Sequence, residues 1–166
     1  MYPDRYFLHT KWSINKSVNL HTFLTSHGKA SDKCMNRIEG IIENIDTRGS
    51  LSLVNVRSQD VKLTAIVIDT PETADYLGIG NKIHVLFKET EVIVGKGSLH
   101  RVSLQNKIPG RVEKIESGDL LSRLSIHTPI GLITSVITNR AVLQLDISVD
   151  SEVTAMVKTN EVMLSA

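Results

Sequence analysis

The segment Asn36-Arg37-Ile38-Glu39-Gly40-Ile41-Ile42-Glu43-Asn44-Ile45 returns as Asn106-Lys107-Ile108-Pro109-Gly110-Arg111-Val112-Glu113-Lys114-Ile115, an offset of 70 residues (Asn36 to Asn106). Downstream, Val85-Leu86-Phe87-Lys88-Glu89-Thr90-Glu91-Val92 matches Ala155-Met156-Val157-Lys158-Thr159-Asn160-Glu161-Val162 at the same offset. The chain is therefore a duplication. In the middle of the unit the best local match pairs Thr70 with Thr138 and Leu77 with Leu145, a drift of about two residues that a small turn insertion would explain.

Each copy reads as strands. In the first strand Ile38, Gly40, Ile42 and Asn44 share one face, as do Ile108, Gly110, Val112 and Lys114; Ile41, Ile45 and Ile115 fall on the other. Gly49 and Gly118 supply turns. Further strands are expected over 51–56, 62–68, 82–88 and 91–94, and over 121–127, 131–137, 152–158 and 161–164. A short helix should follow the third strand of each unit. In the first it starts at Thr70-Pro71-Glu72, where Thr is a good N-cap and Pro suits the first helical position. In the second it starts at Thr138-Asn139-Arg140. Five short strands and one helix describe an OB-like barrel. The fold class is thus all-β: two tandem five-stranded barrels, each with a short helix. The expected organisation is an N-terminal arm over 1–33, a first module over 34–97 and a second over 98–166. Modules of this size bury only about 60% of their unfolded surface, so the two should pack together.

Five of the aromatic residues, Tyr2, Tyr6, Phe7, Trp12 and Phe23, lie in the arm, and only Tyr76 and Phe87 lie beyond it. Residues 17–26 are expected to form a short helix stopped by Gly28, on an appendage that covers apolar barrel surface, the other reading being a docking arm or the remnant of a lost upstream domain.

Composition narrows the function. The net charge is +1 over 166 residues, which gives no general electrostatic footprint for nucleic acid or membrane. No segment has the roughly 20 apolar residues of a membrane span. Cys34 is the one cysteine, so no internal disulfide forms; a lone thiol fits a reducing compartment. The first residues carry no apolar run of signal-peptide type, and a cytoplasmic location is expected. Six histidines show no metal-ligand spacing, and no serine sits in a Gly-x-Ser-x-Gly turn. The segment Gly95-Lys96-Gly97-Ser98 lacks phosphate-loop spacing and reads as a linker. A binding protein, not an enzyme, is the expectation, with no cofactor and no metal ligand set. Single-stranded nucleic acid would need aromatic stacking platforms, and the barrels have two aromatic residues.

Three pieces carry a family resemblance: Asn-x-Ile-x-Gly at Asn36 to Gly40, Leu63-Thr64-Ala65-Ile66-Val67-Ile68, and Lys88 to Ile93. The second copy keeps Asn106 to Gly110, Ile137-Thr138-Asn139 and Lys158 to Met163. In order, spacing and duplication this resembles the Mop/TOBE family of molybdate-binding modules. The resemblance implies a molybdate or tungstate oxyanion as ligand, storage or homeostasis as role, and a homo-oligomer, trimer or dimer, with sites between modules or subunits. The alternative it implies is the ligand-sensing part of a molybdate-responsive transcriptional regulator. Residues 1–33 show no helix-turn-helix with a basic recognition helix, which favours the free-standing binder.

In the family a Ser-Ala-Arg-Asn segment, a Thr-x-x-Ser turn and the lysine of the closing strand face the anion. Here the first segment is Lys33-Cys34-Met35-Asn36, without the Ser and Arg, and the second is Ser103-Leu104-Gln105-Asn106, which keeps the Ser. The turns read Thr70-Pro71-Glu72-Thr73 and Thr138-Asn139-Arg140-Ala141. The resemblance thus implies an oxyanion set of Met35, Asn36, Arg37, Thr70, Thr73, Lys88, Ser103, Gln105, Asn106, Lys107, Thr138 and Lys158. The chemistry suits the ligand. A tetrahedral dianion has only acceptor oxygens, so its site must offer N–H and O–H donors and a cation. Five or six charge-assisted bonds give a gross figure of about 8–18 kcal/mol before desolvation and ordering. Glu72 and Glu89 should point away from such a site. Plainer readings also exist: the two lysines as solvated strand-end charges, the threonines as helix caps, and Asn36 and Asn106 as residues fixing the turn that leads into the strand.

Overall fold

The computed structural model describes residues 35–97 and 102–166. The helix expected over 17–26, and the residues Lys33 and Cys34, lie outside them. The elements run β1 Met35–Arg48, β2 Leu51–Ser58, β3 Val61–Val67, β4 Lys82–Lys88, a 3₁₀ turn Glu89–Glu91 and β5 Ile93–Lys96. The second copy gives β6 Asn106–Ser117, β7 Leu121–Thr128, β8 Gly131–Thr138, a helix Asn139–Gln144, β9 Glu152–Val157, a 3₁₀ turn Thr159–Glu161 and β10 Met163–Ser165. The expected all-β architecture of two five-stranded, OB-like units is present.

The two sheets exchange their closing strands. One has the order β10-β4-β1-β2-β3 and the other β5-β9-β6-β7-β8. The 3₁₀ turn after β4 carries the chain across, so that Ile93 to Lys96 pair with Met156 to Val153 of β9. The turn after β9 does the reverse, laying Met163 to Ser165 against Leu86 to His84 of β4. Val92 and Val162, at the two crossings, are buried. Each sheet is completed only by a strand from the other repeat.

The long first strand carries a β-bulge in both copies, with a register shift between Ile42 and Asn44 and again between Val112 and Lys114. The extra residue switches the face of everything beyond it. Ile38 and Ile42 are buried before the bulge, while Ile45 and Ile115 pack against the same core after it. The sequence pattern placed Ile45 and Ile115 on the opposite face; strict alternation cannot register an inserted residue. Ile41 does face outward, 41% exposed.

The offset of 70 holds throughout, without the expected drift (Ser52 to Ser122, Thr64 to Thr134). Ser52 and Ser122 are both buried and bond Thr47 and Ser117 respectively. Leu77 and Ile147 occupy equivalent buried positions, and Gly80 and Asp150 both have positive φ. Gly80 N–H bonds Ile42 O as Asp150 N–H bonds Val112 O. Thr138 therefore corresponds in space to Ile68, and not to Thr70. The expected first helix is also absent: residues 70–78 form consecutive turns. Leu77 N–H bonds Ala74 O and Gly78 N–H bonds Tyr76 O, three- and two-residue closures that do not propagate an α-helix. The second copy forms its helix, with Thr138 as N-cap accepting from Ala141 N–H.

Gly40 and Gly110 mark where the bent strand approaches its neighbour. A Cβ on Gly110 would lie 2.7 Å from both His127 O and Ile126 Cγ2, and one on Gly40 would lie 2.5 Å from Val56 Cγ1 and 2.9 Å from Arg57 O. Gly110→Ala is expected to destabilise the protein by about 1–3 kcal/mol through overpacking against backbone. Gly49→Ala meets nothing within 4 Å but carries φ +60; only the left-handed backbone cost of roughly 1 kcal/mol applies. Denaturant midpoints of the two variants check the order.

Candidate anion-binding site

β1 and β6 each start with the asparagine of the repeated motif. Asn36 is 5% exposed and Asn106 1%. Asn106 Nδ2 donates to Thr64 O at 2.9 Å, and its Oδ1 accepts from Thr64 N–H at 2.7 Å. Asn36 does the same with Thr134, donating at 2.9 Å and accepting at 2.7 Å. Thr64 and Thr134 sit on β3 and β8, edge strands of the opposite sheets. The side-chain amide thus acts as a one-residue strand partner across the two repeats. This replaces the expected local role of fixing a turn, and it commits both polar ends of each amide within the protein. As side-chain anion ligands Asn36 and Asn106 are already engaged.

The lysines end the fourth strand of each unit. Lys88 lies opposite Met35 in the β1–β4 register. In the second unit the final pair is Asn106 with Val157, which puts Lys158 one step beyond it on the side of Gln105. Both lysines are exposed, and each has extended backbone as it enters its 3₁₀ turn. The fold brings Met35, Asn36 and Lys88 to one sheet corner, and Gln105, Asn106 and Lys158 to the equivalent corner. Ser103 and Gln105 are exposed beside the second corner. Arg37 is exposed and sits 3.1 Å from His84 Nε2. Lys107 is half-buried opposite Met156. The Lys88 turn packs against β8 and the Lys158 turn against β3.

The threonines divide. Thr70 N–H donates to Thr73 Oγ1, and that hydroxyl donates to Thr70 O. Thr70's own side chain hydrogen-bonds Glu72, the main cause that holds this carboxyl below its ordinary range. Glu72 is exposed, with its carboxyl on the first-unit turn beside Thr70. Thr138 is exposed; its oxygen accepts from Ala141 N–H at 3.1 Å, and its hydroxyl proton can still donate.

Glu89, the first residue of the Lys88 turn, is 5% exposed and its Oε2 lies 3.1 Å from Arg123 Nη2. Burial raises its carboxyl above the ordinary range, and the charge and hydrogen bond of Arg123 act in the opposite direction. It points away from Lys88's exposed side and into the junction between the repeats. Ser135 is also buried there and donates from Oγ to Val92 O at 2.9 Å. The sequence reading missed Arg123 and Ser135. The signal was present as a mismatch between copies: Glu89, Arg123 and Ser135 stand where the other copy has Thr159, Leu53 and Ala65.

An open cleft of about 960 Å³ lies elsewhere. It is lined by Lys96, Arg111, His127, Glu152 and residues around them, and includes none of the expected anion ligands. Its cations are engaged: Arg111 with Glu152 and Asp150 O, Lys96 with Asp146. Among the described residues no group of three or more His, Cys, Asp or Glu is placed to hold a metal ion, and no helix is long and apolar enough to cross a membrane. Phe87 is buried and Tyr76 bonds Asp69, so neither is an open stacking platform.

Duplicated OB-like sheets, with a lysine at each closing corner, define a small tandem-barrel protein. Residues 103–164 match the TOBE domain family. Among solved structures the chain is similar to the cytoplasmic molybdate-binding protein ModG in a form with molybdate bound, with 26% identity, a TM-score of 0.73, and 79% of this chain and 95% of that one covered. No curated protein matches in sequence. In its duplicated fold the chain is similar to that molybdate-binding protein, and its second barrel matches the TOBE domain.

Asn106→Ala should leave Thr64 N–H and C=O without their buried partner and destabilise the protein by about 1–3 kcal/mol. Asn106→Asp should depend on pH. Its protonated carboxyl can donate and accept as the amide does, whereas the carboxylate faces Thr64 O. The folded pKa is therefore raised above the unfolded value of about 3.9, and stability falls as pH rises through the folded pKa. Denaturant titrations of both variants between about pH 4 and pH 7 check this.

Proposed function

We propose that the protein binds a tetrahedral oxyanion, molybdate or tungstate, in the cytoplasm for storage or homeostasis. The observation that carries this reading is the recurrence of one exposed lysine at the same corner of each sheet, beside a buried asparagine and against the other repeat's edge strand. The likeness to a molybdate-bound ModG structure over both repeats supports the choice of ligand.

In this reading Lys88 and Lys158 supply the positive charge. A buried dianion without a cation is prohibitive, so each lysine carries the largest single share. Further donors complete the shell: Ser103, Gln105 and the main-chain N–H groups of the segment before Asn106 in the second unit, the Met35 main-chain N–H and the Arg37 guanidinium in the first, and Thr138. Asn36 and Asn106 hold the corners rigid, each with its amide oxygen and one N–H already bonded to the opposite edge strand. Thr70 and Thr73 contribute little, because their hydroxyls already serve each other and Glu72. The two corners offer fewer donors within one chain than a tetrahedral anion can accept, which supports sites closed by a second subunit. The sensor part of a transcriptional regulator would use the same binding chemistry; DNA binding by the full chain separates it from storage.

Lys158→Ala is expected to weaken molybdate binding at least tenfold, about 1.4 kcal/mol, by titration calorimetry. Lys88→Ala should do the same at its own corner. Sulfate and phosphate titrations set the selectivity, and sizing with and without molybdate shows whether subunits close the sites. Unchanged affinity in both lysine variants would remove this site.

A further inference from the structure

The two lysine corners are related by the repeat, yet their surroundings differ in charge. Behind Lys88 lies the pair Glu89–Arg123, with side chains 7% and 16% exposed. Behind Lys158 the equivalent positions are Thr159 and Leu53, which carry no charge. Glu89 follows Lys88 directly in the chain, so a carboxylate is built into the immediate neighbourhood of one candidate anion ligand and not the other.

A carboxylate next to a dianion opposes binding unless its charge is met and its oxygens are held elsewhere. Arg123 provides both. It reaches from β7 to Glu89 Oε2 at 3.1 Å, inside the junction. β8, which packs on the Lys88 turn, has no charged residue, and the turn itself adds only Lys88 and Glu91. Arg123 is thus the cation from the neighbouring strands that is placed to restrain Glu89.

Resting on the oxyanion reading above, we propose that Arg123 is a positioning residue for the Lys88 corner. It draws Glu89 into the junction and cancels its charge, and the two corners are therefore inequivalent anion sites. Arg123 does not touch the anion; it decides whether Lys88 meets the anion alone or with a competing carboxylate. The Lys158 corner has no such requirement.

The repeat supplies the test, because each residue has a natural substitute at the equivalent position. Molybdate titration calorimetry would be run on the full chain for wild type, Arg123→Leu, Arg123→Lys and the double variant Glu89→Thr with Arg123→Leu. Arg123→Leu is expected to weaken one class of site at least tenfold near neutral pH and leave the other unchanged. The loss should shrink as pH falls. Without the guanidinium the carboxyl of Glu89 is raised further by burial, and its protonated form does not repel the anion. Arg123→Lys should retain most of the affinity. The double variant should restore it and should fold even if Arg123→Leu does not, since it removes both charges together. Wild-type affinity in Arg123→Leu, or a loss that persists in the double variant, would overturn the proposal. If wild type itself binds no molybdate, the oxyanion reading fails instead.

Discussion

Edge strands are the constraint around which this molecule is arranged. Each five-stranded sheet ends in a strand, β3 or β8, whose outward N–H and C=O groups would otherwise be unpaired. Asn106 and Asn36 satisfy one residue of each edge from the opposite repeat, with both amide ends used. The exchanged strands β5 and β10 supply the remaining outer strand of each sheet. Neither repeat has a complete sheet or a satisfied edge without the other. A single unit of this size would be marginal alone. Interlocking converts two such units into one core, running from Ile38 through Val162.

The corners proposed to bind the anion follow from that interlock. Lys88 and Lys158 are not placed by their own barrels alone: each ends the strand before a crossing, at the point where the chain leaves one sheet for the other. The crossing fixes where the lysine emerges, and the adjacent asparagine holds the crossing against the edge strand. A buried, doubly bonded amide is costly to displace, so the backbone at each corner is preorganised before any ligand arrives. Preorganisation of this kind cuts the ordering cost of binding.

Much of this was readable in the chain. The duplication, the strand positions, the lysine at each closing strand and the importance of Asn36 and Asn106 all follow from repeated residues at a fixed spacing. What escaped were properties that repetition does not encode. The bulges at Glu43 and Glu113 keep both copies alike, so comparing copies could not reveal that Ile45 and Ile115 turn inward. The false drift arose because Thr70 and Thr138 look alike, whereas the structure aligns the chain by hydrogen-bonded pairs such as Ile42 with Gly80 and Val112 with Asp150. The asparagine contacts join residues far apart in sequence. Their local setting, a polar residue before a strand, suggests a turn just as well. Strand exchange is invisible for the same reason: β5 has the same composition whichever sheet receives it.

Where the copies differ, the differences are physically linked. A glutamate at position 89 with no Arg123 opposite would be a buried carboxylate lacking the cation that faces it, which is strongly unfavourable. Together they form a contact at 3.1 Å between residues on different repeats. The other junction keeps Thr159 and Leu53, with Ala65 where the first has the buried, bonded Ser135. One junction is thus polar, the other apolar. Duplication allows this because one copy can diverge while the other still supplies the shared core. The charge pair adds little net stability by itself, since desolvation offsets most of its attraction. What it does add is direction: it holds the Glu89 carboxylate toward Arg123 of the other repeat, and in the proposed reading away from the anion at the Lys88 corner.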